Sequence, residues 1–281
     1  GVAEGVKENC PEITHVICMQ DEVTIDGEYS LPKLMEENRG EYDADIDPDK
    51  MCTLMYTSGT TGKSKGVMLT NRNLASNVES IVVIIEPGTV SMSVLPIHHS
   101  YCLTADILKS LSLGSCICLN DSLMHFARNM KKFKPQVMLL VPLVIETIYH
   151  QLRDTKAPIP KKMIAKAAFG GNLELIFSGG AYLNPDLVDY FAEYGITILQ
   201  GYGMTECSPV ISTNNQIASK SGSVGKPLSN CEVKFVDEEI CVKGSSVMMG
   251  YYKMRPPRLL TRTAGSIPEI SECWTTRDSC I

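Results

Sequence analysis

The chain has 281 residues, 44% of them hydrophobic, a formal net charge of −6 and a pI near 5.5. That is enough apolar material for one large or two smaller cores. The acidic balance excludes a global basic field of the kind that binds nucleic acid or an anionic membrane, so a site for an anion must be local.

Eleven cysteines are present, but Cys10, Cys18, Cys52, Cys102, Cys207, Cys231 and Cys241 stand singly, without Cys-x-x-Cys spacing. Cys116 and Cys118 alternate inside the apolar run SCICLN, which reads as buried free thiols rather than a zinc site. Unpaired thiols in this number suit a reducing compartment, and the expected location is cytoplasmic. The longest apolar stretch, VMLLVPLVI at residues 137–145, is too short to span a bilayer. With no signal peptide at the start, the expectation is a soluble protein; peripheral membrane contact stays open, since it needs no spanning helix.

In chain order, GVAEGVKENCPEITHVICM has neither an initiator methionine nor a capped start. Its THVICM reads as a buried strand beginning in mid-fold, so the true beginning is expected upstream. EENRGEYDADIDPDK is a solvated acidic connection to the strand MCTLMYT. YTSGTTGKSKG follows and ends in the Gly-Lys-Ser of a Walker loop, but the position that must be glycine in such a loop is Thr57. The composition is nevertheless that of an anion cradle. Gly59 and Gly62 admit close backbone approach, Thr57, Ser58, Thr60 and Thr61 donate hydroxyls, and Lys63 and Lys65 add positive charge. A polar, solvated hairpin turn accounts for the same residues.

Next, TNRNLASNVESIV has a Thr/Asn cap and helical spacing of Leu74, Val78 and Ile81. VSMSVLPIHHSY reads as a strand leading to a loop with His98 and His99, DILKSLSLG as a helix stopped by Gly114, and SCICLN as a strand. Helix LMHFARNMKKF, strand VMLLVP and helix LVIETIYHQLRD repeat the alternation. Strand LELIFSG, helix NPDLVDYFAEYG with Pro185 in its first turn, and strand ITILQGYG extend it. This order predicts an α/β fold of mostly parallel sheets flanked by helices, with ligand loops at the carboxyl ends of the strands. Beyond GSVGKP the short strands CEVKFV and EICVKG predict an appended antiparallel or barrel-like part. The expected domains are an α/β region over 1–220, incomplete at its N-terminus, a β-rich segment over 221–253, and a tail over 254–281.

In order along residues 47–253, YTSGTTGKSKG, LPIHHSY, SGGAYL, GYGMTECSPV, GSVGKP and EICVKGSSVMMGYY resemble the signature motifs of the adenylate-forming superfamily. That superfamily contains acyl-CoA synthetases, luciferases and peptide-synthetase adenylation domains. GYGMTECSPVIS and VMMGYYK look most like bacterial long-chain fatty acid:CoA ligases. The resemblance implies a partial N-terminal domain of such an enzyme, with fatty acid, ATP and CoA as substrates and Mg²⁺ as cofactor. A carboxylate would attack the α-phosphorus of ATP to give acyl-adenylate and pyrophosphate, and the CoA thiol would then displace AMP.

By motif position the resemblance assigns Lys65 and the loop residues Thr57, Ser58, Gly59, Thr60, Thr61 and Gly62 to the leaving pyrophosphate. It assigns Glu206 to Mg²⁺ and Thr205 to a phosphate oxygen. Tyr202, with Gly203 beside it, and the turn Gly179-Gly180-Ala181 would bind adenine, and His99 would stand near the substrate carboxylate and α-phosphate. Three positions depart from the pattern: Ser64 replaces a usual proline, Cys102 stands where long-chain relatives often have glutamate, and Glu238 replaces a glycine. Two alternatives remain beside it, a nucleotide-binding pseudoenzyme fragment and another adenylate-forming ligase with a different carboxylate substrate. A peptide-synthetase adenylation domain would need an acidic residue for the ammonium of an amino acid.

After Lys253 the text MRPPRLLTRTAGSIPEISECWTTRDSCI departs altogether. Relatives run into a Gly-Trp-aromatic-His-Thr-Gly-Asp motif whose aspartate grips ribose; Asp278 does not occupy that context. Synonymous codons for residues 257–281, read from each third base, yield Glu-Ala-Thr-Asp-Glu-Asn-Gly-Trp-Phe-His-Thr-Gly-Asp and continue in frame. The expectation is a frameshift near Arg255, a poorly ordered tail and, with no C-terminal lysine-bearing domain among these residues, little or no adenylation by the chain as written. Sequencing the DNA that encodes residues 253–281 is expected to show that a one-frame change near Arg255 restores the motif; the reading fails if no such change does.

Overall fold

The computed structural model describes residues 5, 9–19, 28–57, 64–154, 159–236, 239–254 and 274–275. The loop residues Ser58, Gly59, Thr60, Thr61, Gly62 and Lys63, Glu238 and nearly all of the tail lie outside them. Two compact units are present, Gly1–Ile46 and Asp47–Ile281.

In the first unit, β1 (Val16–Cys18) pairs in parallel with β2 (Glu28–Ser30). The Ser30 hydroxyl then caps α1 (Leu31–Glu37) by accepting the Lys33 N–H at 3.4 Å. The strand expected to be buried is not: Ile17 is 53% exposed, because pairing in a two-stranded sheet satisfies the backbone without covering the side chains. The acidic stretch after α1 is exposed, as expected.

In the second unit, β3 (Met51–Thr57) and β4 (Lys65–Thr70) form an antiparallel pair with Thr57 opposite Lys65. The Gly/Thr loop therefore connects two antiparallel strands. Thr70 caps α2 (Asn71–Ser80) in a reciprocal box: its hydroxyl accepts the Asn73 N–H at 3.0 Å and its own N–H donates to Asn73 Oδ1 at 2.9 Å.

β5 (Val90–Ser93) leads to a π-helical stretch, Tyr101–Leu108, that runs into an α-helical turn, Lys109–Ser112; together these are α3. Then follow β6 (Cys116–Leu119), α4 (Phe126–Phe133), β7 (Val137–Leu140), α5 (Pro142–Arg153), α6 (Lys161–Ala168) and β8 (Leu175–Ser178). α7 (Pro185–Glu193) starts at Asn184, whose side chain accepts the Asp186 N–H at 3.0 Å, and β9 (Thr197–Gly203) follows. Next come β10 (Val210–Thr213), β11 (Lys226–Pro227), β12 (Cys231–Val236), β13 (Glu239–Gly244), β14 (Gly250–Tyr251) and β15 (Trp274–Thr275).

The main sheet has seven strands in the order β11-β10-β9-β8-β7-β5-β6. β6, β5, β7, β8 and β9 are mutually parallel, and β10 and β11 add antiparallel. Met92, Leu140, Ile145, Ile176, Leu183 and Phe191 belong to the core cluster that joins this sheet to its helices. The β-rich addition is the antiparallel sheet β12-β13-β15, and β14 joins the β3–β4 pair. The expected α/β architecture is thus present. Cys116, expected to be buried, is exposed and Cys118 only partly covered, because β6 is the last strand of its sheet. Among the described residues no helix is long and apolar enough to cross a membrane.

α2 is fastened by two amides rather than by its apolar stripe alone. Asn73 Nδ2 donates to the carbonyls of Ser245 at 2.8 Å and Val247 at 2.9 Å. Fully buried Asn77 donates to the carbonyls of Cys207 at 3.3 Å and Val210 at 2.7 Å, and accepts the Val210 N–H at 3.2 Å. Removing such a side chain leaves buried backbone groups without partners, at about 1–3 kcal/mol each. Asn77→Ala is therefore expected to destabilise the protein by about 3 kcal/mol in denaturant unfolding; a change under about 1 kcal/mol would refute this fastening role.

Candidate active site

The carboxyl ends of the parallel strands and of β3 open on one cavity of about 810 Å³. β3 brings Thr57, and the segment after β5 brings His98 and His99. The turn after β8 brings Gly179, Gly180 and Ala181, while the end of β9 with the turn beyond it brings Tyr202, Gly203, Thr205 and Glu206. Parallel strands place all their carboxyl ends on one side of the sheet, which is why segments so far apart in sequence meet there. Two glycines are required by close approach. A Cβ on Gly179 would stand 2.9 Å from the Tyr101 ring, and one on Gly203 would stand 2.0 Å from the Pro209 carbonyl oxygen.

Glu206 lies in the short 3-10 turn Thr205–Cys207 and is only 6% exposed. Its Oε1 accepts the Tyr251 hydroxyl at 2.8 Å, and its backbone carbonyl accepts the Met248 N–H at 2.8 Å. Lys65, 9% exposed on β4, holds its ammonium 5.1 Å from the centre of the same Tyr251 ring. Tyr251 therefore stands between two residues assigned from motif position, a cation on its face and a carboxylate at its hydroxyl. Thr205 Oγ1 and Ser100 Oγ share a hydrogen bond of 3.0 Å, tying this turn to the start of α3.

The Tyr101 N–H donates to His99 Nδ1 at 3.3 Å, so Nδ1 acts as an acceptor and the neutral ring carries its proton on Nε2. Partial burial, and then the neighbouring His98, hold the His99 pKa below the ordinary histidine value. The ring is neutral at pH 7 and offers one N–H donor. Burial pushes the Tyr202 phenol up, so it stays protonated.

Sequence reasoning missed two residues. Tyr251 was hidden in a doublet with Tyr252, and nothing in its spacing distinguishes the buried one. Asp106 was placed at the start of a helix, but the helix begins at Tyr101, which puts Asp106 inside it, only 3% exposed and lining the cavity. Burial pushes its carboxyl up to about 6, against the lowering effect of a hydrogen bond from Ser93. The available signal was a charged residue at helical spacing from Cys102 and Lys109, both also buried.

Among the described residues no group of three or more His, Cys, Asp or Glu could hold a metal. The donor set at Glu206 is one buried carboxylate facing a cavity. This fits Mg²⁺, which takes one or two carboxylates and completes its shell with water and substrate phosphates.

Residues 3–252 match the family model described as AMP-binding enzyme. The chain is 33% identical to 4-coumarate–CoA ligase 3 of Oryza sativa subsp. japonica, covering 82% of this chain and 45% of that protein. It is 30% identical to the long-chain-fatty-acid–CoA ligase of Escherichia coli O6:H1, covering 73% of this chain and 38% of that protein. The crystal structure of ATP-bound MatB from Rhodopseudomonas palustris superposes with a TM-score of 0.67 at 29% identity, over 82% of this chain and 46% of that one. The chain spans less than half the length of these relatives. It belongs to the AMP-binding enzyme family, whose matched relatives here are CoA ligases.

Proposed function

We propose that the protein is an acid–thiol ligase that activates a carboxylic acid with ATP and passes the acyl group to CoA. The observation that carries this reading is the convergence of His99, Thr205 and Glu206 with the Gly179–Ala181 turn on one cavity. In the first step a carboxylate oxygen forms a bond to the α-phosphorus as the bond to pyrophosphate breaks. In the second the CoA sulfur bonds to the acyl carbon and AMP leaves.

The neutral imidazole of His99 donates its Nε2 proton as a hydrogen bond to the carboxylate or to the α-phosphate oxygens, where negative charge collects. Thr205 donates its hydroxyl to a phosphate oxygen, with Ser100 holding its orientation. Tyr202 and the Gly179–Ala181 turn form the two sides of an adenine slot. Glu206, oriented by Tyr251, would hold Mg²⁺, which when bound supplies neutralising charge to the phosphates. Lys65, with the Gly/Thr loop that precedes it, supplies charge for the pyrophosphate.

The remaining wall, including Ile81, Val83, Ile85, Leu113, Val137 and Leu139, is apolar and suits a hydrophobic acyl group. Fatty acids are the substrate class proposed. For the 281-residue chain itself we propose strongly reduced turnover, because the ribose-gripping motif expected after Lys253 does not stand in residues 254–281.

Equilibrium titration with Mg-ATP separates these statements. The chain is expected to bind ATP, Glu206→Gln to weaken binding about tenfold or more, and acid-dependent pyrophosphate exchange to rise when the frame is restored. Absence of ATP binding in both forms would overturn the ligase reading. Ordinary exchange by the unaltered chain would overturn only the impairment.

A further inference from the structure

The main sheet ends on a pair of thiols that the ligase chemistry does not use. Cys116 and Cys118 alternate on β6, so both side chains stand on one face of the strand. Both are free cysteines, Cys116 exposed and Cys118 partly exposed, and β6 is the last strand of its sheet. The Cys116 thiol is near enough to act on Cys118, whose pKa is raised by burial first and then by this neighbour.

The surroundings restrict what this pair can hold. Its register partners on β5 are Val90 and Met92, whose side chains bring no oxygen or nitrogen donor. Among the described residues no third His, Cys, Asp or Glu joins the two thiols in a metal-holding group. A structural zinc site takes four ligands, and Ca²⁺ and Mg²⁺ take oxygen. Two thiolates without further donors suit a soft ion of low coordination number, and Cu(I) is the biological ion that soft sulfur ligands select. A direct sulfur–sulfur bond fits less well. Alternate residues of a parallel strand have their Cα atoms about 6.6 Å apart, whereas a disulfide favours about 5.5–6 Å. An ion between the sulfurs lengthens the bridge by one further bond and leaves the strand straight.

We propose that Cys116 and Cys118 form a surface chelate for Cu(I), held between their two sulfurs on the edge of the main sheet. On binding, both S–H bonds break and two Cu–S bonds form. The two protons go to solvent, and copper stays monovalent throughout, so no oxidant or reductant takes part. The positive ion removes the penalty of placing two thiolates side by side, which is why the pair loses its protons together on binding rather than one by one. The site is independent of the ligase reading, since neither cysteine lines the cavity.

The test titrates the purified, reduced 281-residue chain with Cu(I) in the absence of air, against a chromophoric Cu(I) chelator as competitor. Cys116→Ser and Cys118→Ser are each expected to weaken binding about 100-fold or more, because either one turns a chelate into a single thiolate. The double substitution should then cost little beyond either single one. A second measurement needs no variant. With one equivalent of Cu(I), alkylation mapped by mass spectrometry should show Cys116 and Cys118 protected together while exposed Cys52 still reacts; one equivalent of Zn(II) should protect neither. No Cu(I) binding, affinity unchanged by both single substitutions, losses that simply add, or protection of only one of the pair would each overturn the chelate. Equal protection by Zn(II) would overturn the choice of a two-coordinate soft ion.

Discussion

A single hydrogen bond, from the Tyr251 hydroxyl to Glu206 at 2.8 Å, sets the arrangement on which the rest of the site depends. Glu206 is a carboxylate taken out of water, and such a group persists only where its oxygens find donors. Tyr251 provides one, which fixes the rotation of the carboxyl and leaves the other oxygen for the cavity. Tyr251 in turn sits where it does because β14 pairs with β4, with Tyr251 opposite Val67, and because its ring packs with Val67, Leu69, Leu74 and Met248. Lys65, at the start of β4, covers the ring face. One aromatic side chain thus couples the strand after the Gly/Thr loop to the acid at the end of β9.

The amides of α2 support the same point from behind. Asn73 holds the carbonyls of Ser245 and Val247, just before Met248, while Asn77 holds those of Cys207 and Val210, on either side of the turn that follows Glu206. Asn is a poor helix former because its amide competes for backbone groups. Here the competing bonds go to other segments, so local helix propensity is given up for fixed positions at the site. The wider winding of α3 matters in a similar way. It begins two residues after His99 and carries Asp106 and Lys109 to the cavity wall, consistent with the tendency of π-helical geometry to occur at functional positions.

What the sequence made legible was whatever depends on periodicity and on glycine. Alternating strands and helices from β5 to β9 follow from apolar spacing, and Gly179 and Gly203 answer to close contacts with Tyr101 and Pro209. What it concealed depends on which neighbour happens to be present. The fastening roles of Asn73 and Asn77 were not readable, because polarity alone does not reveal a buried acceptor on another segment. Cys116 read as buried because an alternating apolar strand carries no mark of being at a sheet edge, and Ile17 because burial requires a covering layer that a short run does not specify. Asp106 read as a helix start because an acidic residue before an apolar run is a common cap. The residues from Ser58 to Gly62 were recognised by composition, and the structure adds the pairing of Thr57 with Lys65 on either side of them.

The central claim is that Tyr251 acts on nucleotide binding through Glu206 rather than beside it. A double-mutant cycle of Tyr251→Phe and Glu206→Gln, read on Mg-ATP affinity with folding verified for each variant, measures this directly. The account predicts a coupling of about 1 kcal/mol or more, with the tyrosine substitution costing little once the acid is gone. Losses that add to within about 0.3 kcal/mol would show that the two residues act independently and would contradict it.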